Sequence, residues 1–337
     1  MNSEIANFLD KIAMYLKFTP ETTGSSIGFT KSASIIREYE EEITLKNYKN
    51  LINISGIGDH TISEIGEFLR KGTSKRLEKL EKTYKDRVKI LDKFMKIYGV
   101  GPIHAYILYE AGARSYNDIK RMGLLKEWQI EYIKYIKQLE TKIPRNEMLD
   151  INEHFKDSLS FNFEFAGSFR RGQKSSSDYD MIVRGSKDIS MKKILEELDE
   201  YILFSFGTKG KVFHGVITYE YGGVVKYRRI DISIVPEKYY PCFLLHSTGP
   251  KELNIAMSTY AIKKNFTLNK YMLVKHYENE DKLILVKSEE DVFRTLGLEY
   301  IPPTERTSKS KLIPMNSSIK NTKSTTSKKS YQKNNKN

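Results

Sequence analysis

The amino-acid sequence predicts an α+β fold, with helices in the first half of the chain and a mixed β-sheet in the second. Apolar residues recur at helical spacing in residues 5–12, 62–69 and 127–139. Beyond these helices the period changes, because residues 161–165 alternate strictly between phenylalanine and polar side chains. Helices first and strands later along one chain are typical of an α+β protein.

Further elements are predicted in the second half. Residues 211–220 and 224–235 have the composition of strands, and Gly222-Gly223 between them predicts a hairpin turn. A helix is predicted over residues 191–201. These elements complete the expected mixed sheet.

Composition limits the class of protein. The 337 residues are 39% apolar, which suffices for two or three small cores. Lys and Arg number 56 against 43 Asp and Glu, and the net charge of +13 indicates a polyanionic partner, either nucleic acid or an anionic membrane face. A generic basic surface is the alternative. The sequence has no run of 18 apolar residues, so no membrane-spanning segment is expected.

The single cysteine and the two ends of the chain give further expectations. Cys242 is the only cysteine, so we expect no disulfide, no cysteine metal site and a reducing compartment. Residues 1–11 are polar and unlike a signal peptide. Residues 307–337 are basic, contain no acidic side chain and few apolar ones, so we expect a disordered tail. Such a tail is either merely solvated or serves in DNA tethering or targeting.

Two segments, residues 54–58 and 97–102, share one pattern in which an apolar–Gly–apolar–Gly turn precedes a helix. Glycine permits the unusual backbone angles of such a turn and the close approach of a phosphate. The free N–H groups at the start of the next helix would face that phosphate. One Gly-x-Gly is common in ordinary turns, but two copies in a basic chain predict helix-hairpin-helix motifs that hold DNA without reading bases. The predicted DNA contacts are Gly56, Gly58, Gly99 and Gly101.

Three aspartates form the candidate catalytic and metal-binding group. Asp178 and Asp180 open a predicted strand, where residues two apart point to one face. Asp231 lies in the alternating residues 229–232, which are expected to form a neighbouring strand. Three such carboxylates suit two Mg²⁺ ions. One ion would lower the pKa of a primer 3′-hydroxyl, and the other would stabilise a leaving pyrophosphate. A lone Asp-x-Asp is more often an exposed loop, but an Asp231 buried in an apolar strand would need a nearby cation.

A glycine–serine turn, residues 167–172, precedes the first two aspartates. Its backbone N–H groups, the Ser168 hydroxyl and the Arg171 guanidinium would hold the β- and γ-phosphates of a nucleotide. Together with the three carboxylates, this turn predicts two-metal nucleotidyl transfer.

These motifs, with others in the same order, make the sequence resemble the family X DNA polymerases of the β type, from residue 27 to residue 306. The resemblance is carried by Asp178 and Asp180 and by residues 56–58, 99–102, 143–145, 167–172, 228–231, 239–240, 247–249, 254–257, 266–269 and 290–293.

The resemblance implies helical helix-hairpin-helix domains, then a nucleotidyltransferase palm with a mixed sheet. In order along the chain, the implied segments are a lyase-like domain (residues 1–80), a helical DNA-binding subdomain (81–144), the catalytic palm (145–237), a small α+β nucleotide-selecting subdomain (238–306) and the tail (307–337).

The implied activity is template-directed DNA synthesis that fills short gaps in base excision repair. The implied substrates are deoxynucleoside triphosphates and gapped or nicked double-stranded DNA, with a DNA ligase as partner and a monomeric chain. The implied cofactors are two Mg²⁺ ions, with Mn²⁺ as an alternative, and a monovalent cation at the helix-hairpin-helix turns. Richness in Lys, Asn and Ile hints at an AT-rich viral genome. Within the cell, the nucleus and a cytoplasmic site of viral replication both stay open.

The resemblance also implies residue roles. Arg229 would support Asp231 and the primer end. His246-Ser247 replaces the family's aromatic pair, so the sugar-facing floor of the pocket is altered. Ser177 replaces the glycine that usually precedes the first aspartate. By position, the implied nucleotide-binding residues are Arg145, Ser168, Arg171, Ser177, His246 and Asn254.

Low fidelity is expected from three departures from the family. An arginine of the family falls at Ser258, its partner glutamate at Lys270, and a second arginine at Ser233. Those side chains couple subdomain closure to base-pair shape, so discrimination by induced fit should shrink without them.

The lyase activity implied for the first domain is also in doubt. Glu64 occupies the place of the Schiff-base lysine, and a carboxylate cannot form a Schiff base. We therefore expect this activity to be lost or strongly weakened, unless another lysine of the domain supplies the amine. The neighbouring pocket positions are changed as well, at Ser25, Phe29, His60 and Arg76.

Two rival interpretations stay open. The same chemistry would serve a template-independent transferase, or a nucleotidyltransferase that acts on RNA. A non-catalytic DNA-binding scaffold is the alternative from a different class, although such a protein would be expected to lack one of the three carboxylates.

Overall fold

The computed structural model describes residues 1–18, 20–186 and 188–315, and the chain divides into two compact units, Met1–Thr141 and Lys142–Asn337. The division lies close to the predicted start of the palm at residue 145. The finer domain boundaries stay predictions. Among the described residues, no helix is both long enough and apolar enough to cross a membrane.

The first unit is helical, as predicted. The apolar positions of its first helix show why, since Ile5, Leu9 and Ile12 are fully buried against neighbouring helices. In the described residues, the helices of this unit are α1 (Asn2–Leu16), α2 (Pro20–Arg37), a 3₁₀ helix (Tyr48–Asn53), α3 (Asp59–Lys71), α4 (Lys75–Met95), α5 (Pro102–Glu110), α6 (Tyr116–Met122) and α7 (Glu127–Leu139).

Capping residues set several helix ends. Helix α3 ends at Gly72, whose φ of +72° is accessible to glycine at little cost. The Ser74 hydroxyl accepts a hydrogen bond from the Leu77 N–H at 3.1 Å and begins α4. Ser115 does the same for α6. Each serine cap stabilises its helix by about 1 kcal/mol.

The second unit is built around a five-stranded mixed sheet with the strand order β2-β4-β7-β6-β5, which confirms the predicted α+β class. Strands β4 and β7 are parallel, and the other neighbours are antiparallel. In the described residues, the elements of this unit are β1 (Ile143–Pro144), α8 (Arg145–Ser158), β2 (Phe163–Phe165), α9 (Gly167–Arg170), β3 (Ser175–Ser176), β4 (Tyr179–Gly185), α10 (Met191–Glu197), β5 (Ile202–Lys209), β6 (Val212–Tyr221), β7 (Val224–Pro236), α11 (Tyr240–Thr248), α12 (Lys251–Lys263), β8 (Phe266–Leu268), β9 (Leu273–His276), β10 (Asp281–Ile284) and α13 (Glu289–Thr295).

The predicted hairpin of β6 and β7 is confirmed. Gly222 and Gly223 both have positive φ, of +61° and +72°, which is the backbone of the two-residue turns that favour glycine. Strand alternation then directs Phe213, Ile230 and Ile232 into the core beneath the sheet.

Helix α10 is shorter than predicted. It ends at Glu197 rather than at residue 201, because the chain turns there to enter β5. The backbone shows the turn directly, since the Tyr201 carbonyl accepts a hydrogen bond from Thr218 on β6. Sheet pairing has therefore overridden the local helical pattern.

The predicted disordered tail is wrong for its first residues. Pro314 forms a β-bridge with Leu298, and the Glu299 N–H donates to the Ile313 carbonyl at 2.9 Å. Leu312 packs against the core of helices α11–α13. Backbone pairing and one apolar side chain hold this segment in place. Residues 316–337 lie outside the described residues.

Candidate active site

The three predicted aspartates come together at one end of the mixed sheet. Asp180 on β4 lies directly opposite Asp231 on the parallel strand β7, so the two side chains share a face. Asp178 directly precedes β4 and lies two residues from Asp180. The sheet register therefore gives the three carboxylates one common location.

Two of these carboxylates have partners on neighbouring strands. Asp178 accepts a hydrogen bond from the Arg229 guanidinium at 3.0 Å, and Asp231 is hydrogen-bonded to Nδ1 of His214 on β6 at 2.6 Å. The Asp231 side chain is 34% exposed, so the expectation of a buried Asp231 is wrong: an imidazole and solvent both solvate it. As they stand, no three acidic, histidine or cysteine side chains in the described residues are arranged as a metal site.

The charge of this group nevertheless suits cations. Burial and the neighbouring aspartates raise the pKa of Asp180 to about 7, and burial is also the main cause of the raised pKa of Asp178. The Arg229 guanidinium opposes both shifts and the Arg171 guanidinium opposes that of Asp180, but neither cancels them. Carboxylates that are costly to ionise and offer only oxygen ligands fit a hard divalent cation.

The glycine–serine turn lies against this group. Gly167 has a φ of +56°, and a Cβ at this position would overlap the Asp180 Oδ2 atom, so only glycine fits. The chain then forms the short helix α9, and the Ser168 hydroxyl donates to Ser176 at 2.8 Å. The turn is thus built to bring backbone close to the carboxylates.

A cleft of about 950 Å³ opens in front of the turn, within the usual range for a ligand site. The predicted nucleotide contacts Ser168, Arg171 and Ser177 line one side, and His246 and Asn254 line the other. The structure therefore brings five of the six predicted nucleotide contacts to one cleft, together with Asp178 and Asp180.

Hydrogen bonds fix several of these lining residues. The Arg171 guanidinium donates to the Thr248 carbonyl, and its burial lowers the pKa of Arg171. The Asn254 amide donates to the His246 carbonyl at 2.7 Å. Burial and the nearby Lys270 charge lower the pKa of His246, which favours the neutral imidazole.

Comparison with known proteins assigns the second unit. Residues 142–237 match the DNA polymerase beta palm, and residues 243–307 match the DNA polymerase beta thumb. This chain belongs to family X of the DNA polymerases.

Related proteins extend the similarity of this family X chain beyond the second unit. It is 26% identical over 308 residues to DNA polymerase lambda of Rattus norvegicus and 27% identical over 308 residues to DNA polymerase lambda of Arabidopsis thaliana; each alignment covers 83% of the chain and 52% or 58% of the relative. It is 26% identical over 327 residues to DNA polymerase/3'-5' exonuclease PolX of Bacillus subtilis (strain 168), which covers 90% of the chain and 55% of that protein. The chain thus spans little more than half the length of these relatives.

Arg145 is the predicted nucleotide contact that the structure of the family X chain does not bring to the cleft. Its guanidinium donates to the Phe169 carbonyl at 2.9 Å and lies over the Phe169 ring, beneath the glycine–serine turn. The implied triphosphate contact of Arg145 therefore stays a prediction, since this structure directs the side chain to backbone carbonyls. Arg145 instead supports the turn from below.

Sequence reasoning missed three features of the family X site. His214 pairs with Asp231, and Lys142 lines the cleft beside Ser177. The buried Glu289 carboxylate joins two arginines, one of them Arg170 of the turn. The only available signal was a histidine at position 214 among the otherwise apolar residues 212–217.

The two glycine turns of the first unit have the same geometry. Gly56 and Gly99 have φ values of +104° and +76°. The turns are closed by matching hydrogen bonds, from residue 57 to residue 54 at 3.0 Å and from residue 100 to residue 97 at 2.9 Å. Gly58 and Gly101 cap the helices that follow. The repeat is therefore structural, and its contact with DNA stays a prediction.

The expected lyase pocket is a separate cavity of about 240 Å³ in the first unit, small for a ligand site. The residues that line it include four of the changed positions, Ser25, Phe29, His60 and Arg76. Glu64 is 7% exposed and forms an ion pair with Arg76 at 2.9 Å, and its buried Oε2 atom has no hydrogen-bond partner among the described residues. A carboxylate–guanidinium pair thus occupies the place of the family's amine nucleophile.

Proposed function

We propose that this chain is a template-directed DNA polymerase that fills short gaps in DNA during base excision repair. The observation that carries the proposal is the cleft in which two of the three adjacent aspartates face a glycine–serine turn and Arg171. Membership of a DNA polymerase family supports the same conclusion.

In this proposal Asp178, Asp180 and Asp231 hold two divalent cations, Mg²⁺ or alternatively Mn²⁺. When bound, such cations supply a lowered pKa for the primer 3′-hydroxyl and charge stabilisation for the leaving pyrophosphate. Arg171 and the backbone N–H groups of the turn orient the phosphates. The Arg229 guanidinium fixes the Asp178 carboxylate, and its buried Nε atom has no hydrogen-bond partner within the described residues.

The proposed substrates are deoxynucleoside triphosphates and gapped or nicked double-stranded DNA. The matched turns at Gly56 and Gly99 support binding of the DNA backbone, with a monovalent cation as an additional ligand. We also propose a monomeric chain, a DNA ligase as partner and an intracellular reducing compartment. The single cysteine, Cys242, supports the last point, because it leaves the chain without a disulfide framework.

A primer-extension experiment on three substrates tests the proposed function. On a gapped duplex we expect nucleotide addition that requires Mg²⁺ and follows the template base. Chelation of the divalent cation should abolish it. Addition to single-stranded DNA without a template would favour a template-independent transferase instead. Extension of an RNA primer but not of DNA would favour a nucleotidyltransferase that acts on RNA. DNA binding without nucleotide addition would favour a non-catalytic scaffold.

Low fidelity is a further part of the proposal. The Ser258 hydroxyl donates to the Leu268 carbonyl at 3.2 Å, and the Lys270 ammonium lies over the Phe243 and Tyr271 rings. Neither side chain therefore provides a long ionic contact that depends on base-pair shape. Single-nucleotide kinetics with correct and incorrect nucleotides should show weak discrimination, and Ser258→Arg should strengthen it. Strong discrimination by the unchanged protein would contradict this part.

We also expect the chain to lack 5′-deoxyribose-phosphate lyase activity. Schiff-base formation needs a partly neutral amine, and the Glu64–Arg76 pair offers none, because arginine stays protonated. Borohydride treatment with an incised abasic DNA should trap no covalent adduct. Glu64→Lys is the matched comparison. Burial beside a guanidinium lowers the pKa of a lysine, so this variant would supply the partly neutral amine that Schiff-base formation needs. Rapid trapping by the unchanged protein would show that another lysine is the nucleophile.

A further inference from the structure

Lys142 lies at the open end of a short antiparallel ladder that no motif had indicated. Strands β1 and β3 pair residue 143 with residue 176 and residue 144 with residue 175, so the next pair outward is Lys142 and Ser177. The side chains follow this register, because the Lys142 ammonium donates to the Ser177 hydroxyl at 2.5 Å. The position of Lys142 is therefore set by the backbone of β1 and β3.

The same ladder explains why Lys142 and Ile143 face opposite ways. Side chains alternate between the two faces of a strand, so residues 142 and 144 share one face and residue 143 has the other. Ile143 is completely buried, and Arg145 follows it beneath the glycine–serine turn. Lys142 is exposed and lines the cleft. Lys142 therefore adds an exposed positive charge to this end of the cleft.

The surroundings of Lys142 fit a polyphosphate. Its neighbour Ser177 directly precedes Asp178, whose negative charge the ammonium partly offsets. Arg171, a cation of the turn itself, already donates to the Thr248 carbonyl. The Lys142 ammonium has three donors, and the Ser177 hydroxyl takes one of them. Within the described part of the chain, Lys142 thus keeps unused donors beside the cleft.

We propose that Lys142 is a substrate-binding residue that contacts the phosphate oxygens of a nucleoside triphosphate in this cleft. The inference rests on the proposed function for the kind of substrate and on the β1–β3 register for the residue. In this role Lys142 binds substrate and takes no part in proton transfer. Because a charge-assisted hydrogen bond to phosphate is strong, its loss should weaken nucleotide binding by about 10-fold or more.

Binding of dATP to the full chain, measured by calorimetry with Ca²⁺ and gapped DNA, separates this inference from the polymerase proposal. We expect Lys142→Gln to weaken dATP binding by about 10-fold and Lys142→Arg to retain most of it. In primer extension Lys142→Gln should raise the KM for the nucleotide more than it lowers kcat. Lys192→Gln is the matched control, since Lys192 is an exposed lysine of the same unit whose side chain is 86% accessible.

Each outcome decides the matter. Unchanged dATP affinity of Lys142→Gln would overturn the inference while leaving the polymerase proposal intact. An equal loss of dATP affinity in Lys192→Gln would do the same. Loss of dATP affinity in a chain that extends no primer would support the inference and contradict the polymerase proposal. Absence of dATP binding by the unchanged chain would overturn both. An unchanged melting temperature of Lys142→Gln would exclude unfolding as the cause.

Discussion

Asp231→Ala should lower the rate of nucleotide addition by about 10³-fold or more, because fixed charge at the reacting phosphate is usually the largest catalytic contribution. Asp231 lies opposite Asp180 in the register of two parallel strands, so no other carboxylate in that register can replace it. Single-turnover addition on gapped DNA measures the effect. DNA affinity should be unchanged, since the proposed contacts with the DNA backbone lie in the first unit.

Asp281→Ala is the matched control for this experiment. Asp281 is hydrogen-bonded to His276 at 2.6 Å, the same pairing and distance as Asp231 with His214, but it lies on β10 in the small sheet. The control removes an aspartate–histidine pair outside the cleft and should leave the rate unchanged. Near-normal addition by Asp231→Ala would contradict the assignment of the catalytic group.

Glu289→Ala should lower the free energy of unfolding by about 3–5 kcal/mol, because it leaves the buried Arg306 guanidinium without its counter-charge. The Glu289 carboxylate is 5% exposed and binds Arg306 at 2.7 Å and Arg170 at 2.8 Å. Arg306 is completely buried. Urea unfolding of the full chain, followed by circular dichroism, measures the change.

Glu237→Ala provides the matched control for Glu289→Ala. Glu237 forms an ion pair of similar length with Arg184, 2.7 Å, but its side chain is 67% exposed. An exposed pair stabilises a protein by about 1 kcal/mol at most. Equal destabilisation by the two variants would show that burial of the Glu289 network contributes nothing.

The sequence was sufficient to predict those parts of the fold that depend on local patterns. The alternation of residues 224–235 predicts a strand, and the structure confirms β7 over the same segment. The shared face of Asp178 and Asp180 could also be predicted, because the side chains of a strand repeat their direction every two residues. Local periodicity and composition are enough for such features.

Features that depend on strand register could not be predicted. His214 meets Asp231 only because β6 and β7 pair these two positions, and a shift of one residue would turn His214 to the other face. The same sensitivity explains Lys142, which meets Ser177 only because β1 and β3 pair residue 143 with residue 176. The Glu289 network joins residues distant in the chain, so no local pattern predicts it.

Addition of a single nucleotide across a one-nucleotide gap, measured with each of the four template bases, tests the central claim most directly. If the chain is a template-directed polymerase, the complementary nucleotide will be added fastest in every case, and chelation of divalent cations will abolish addition. Absence of addition, or addition at a rate independent of the template base, would contradict it.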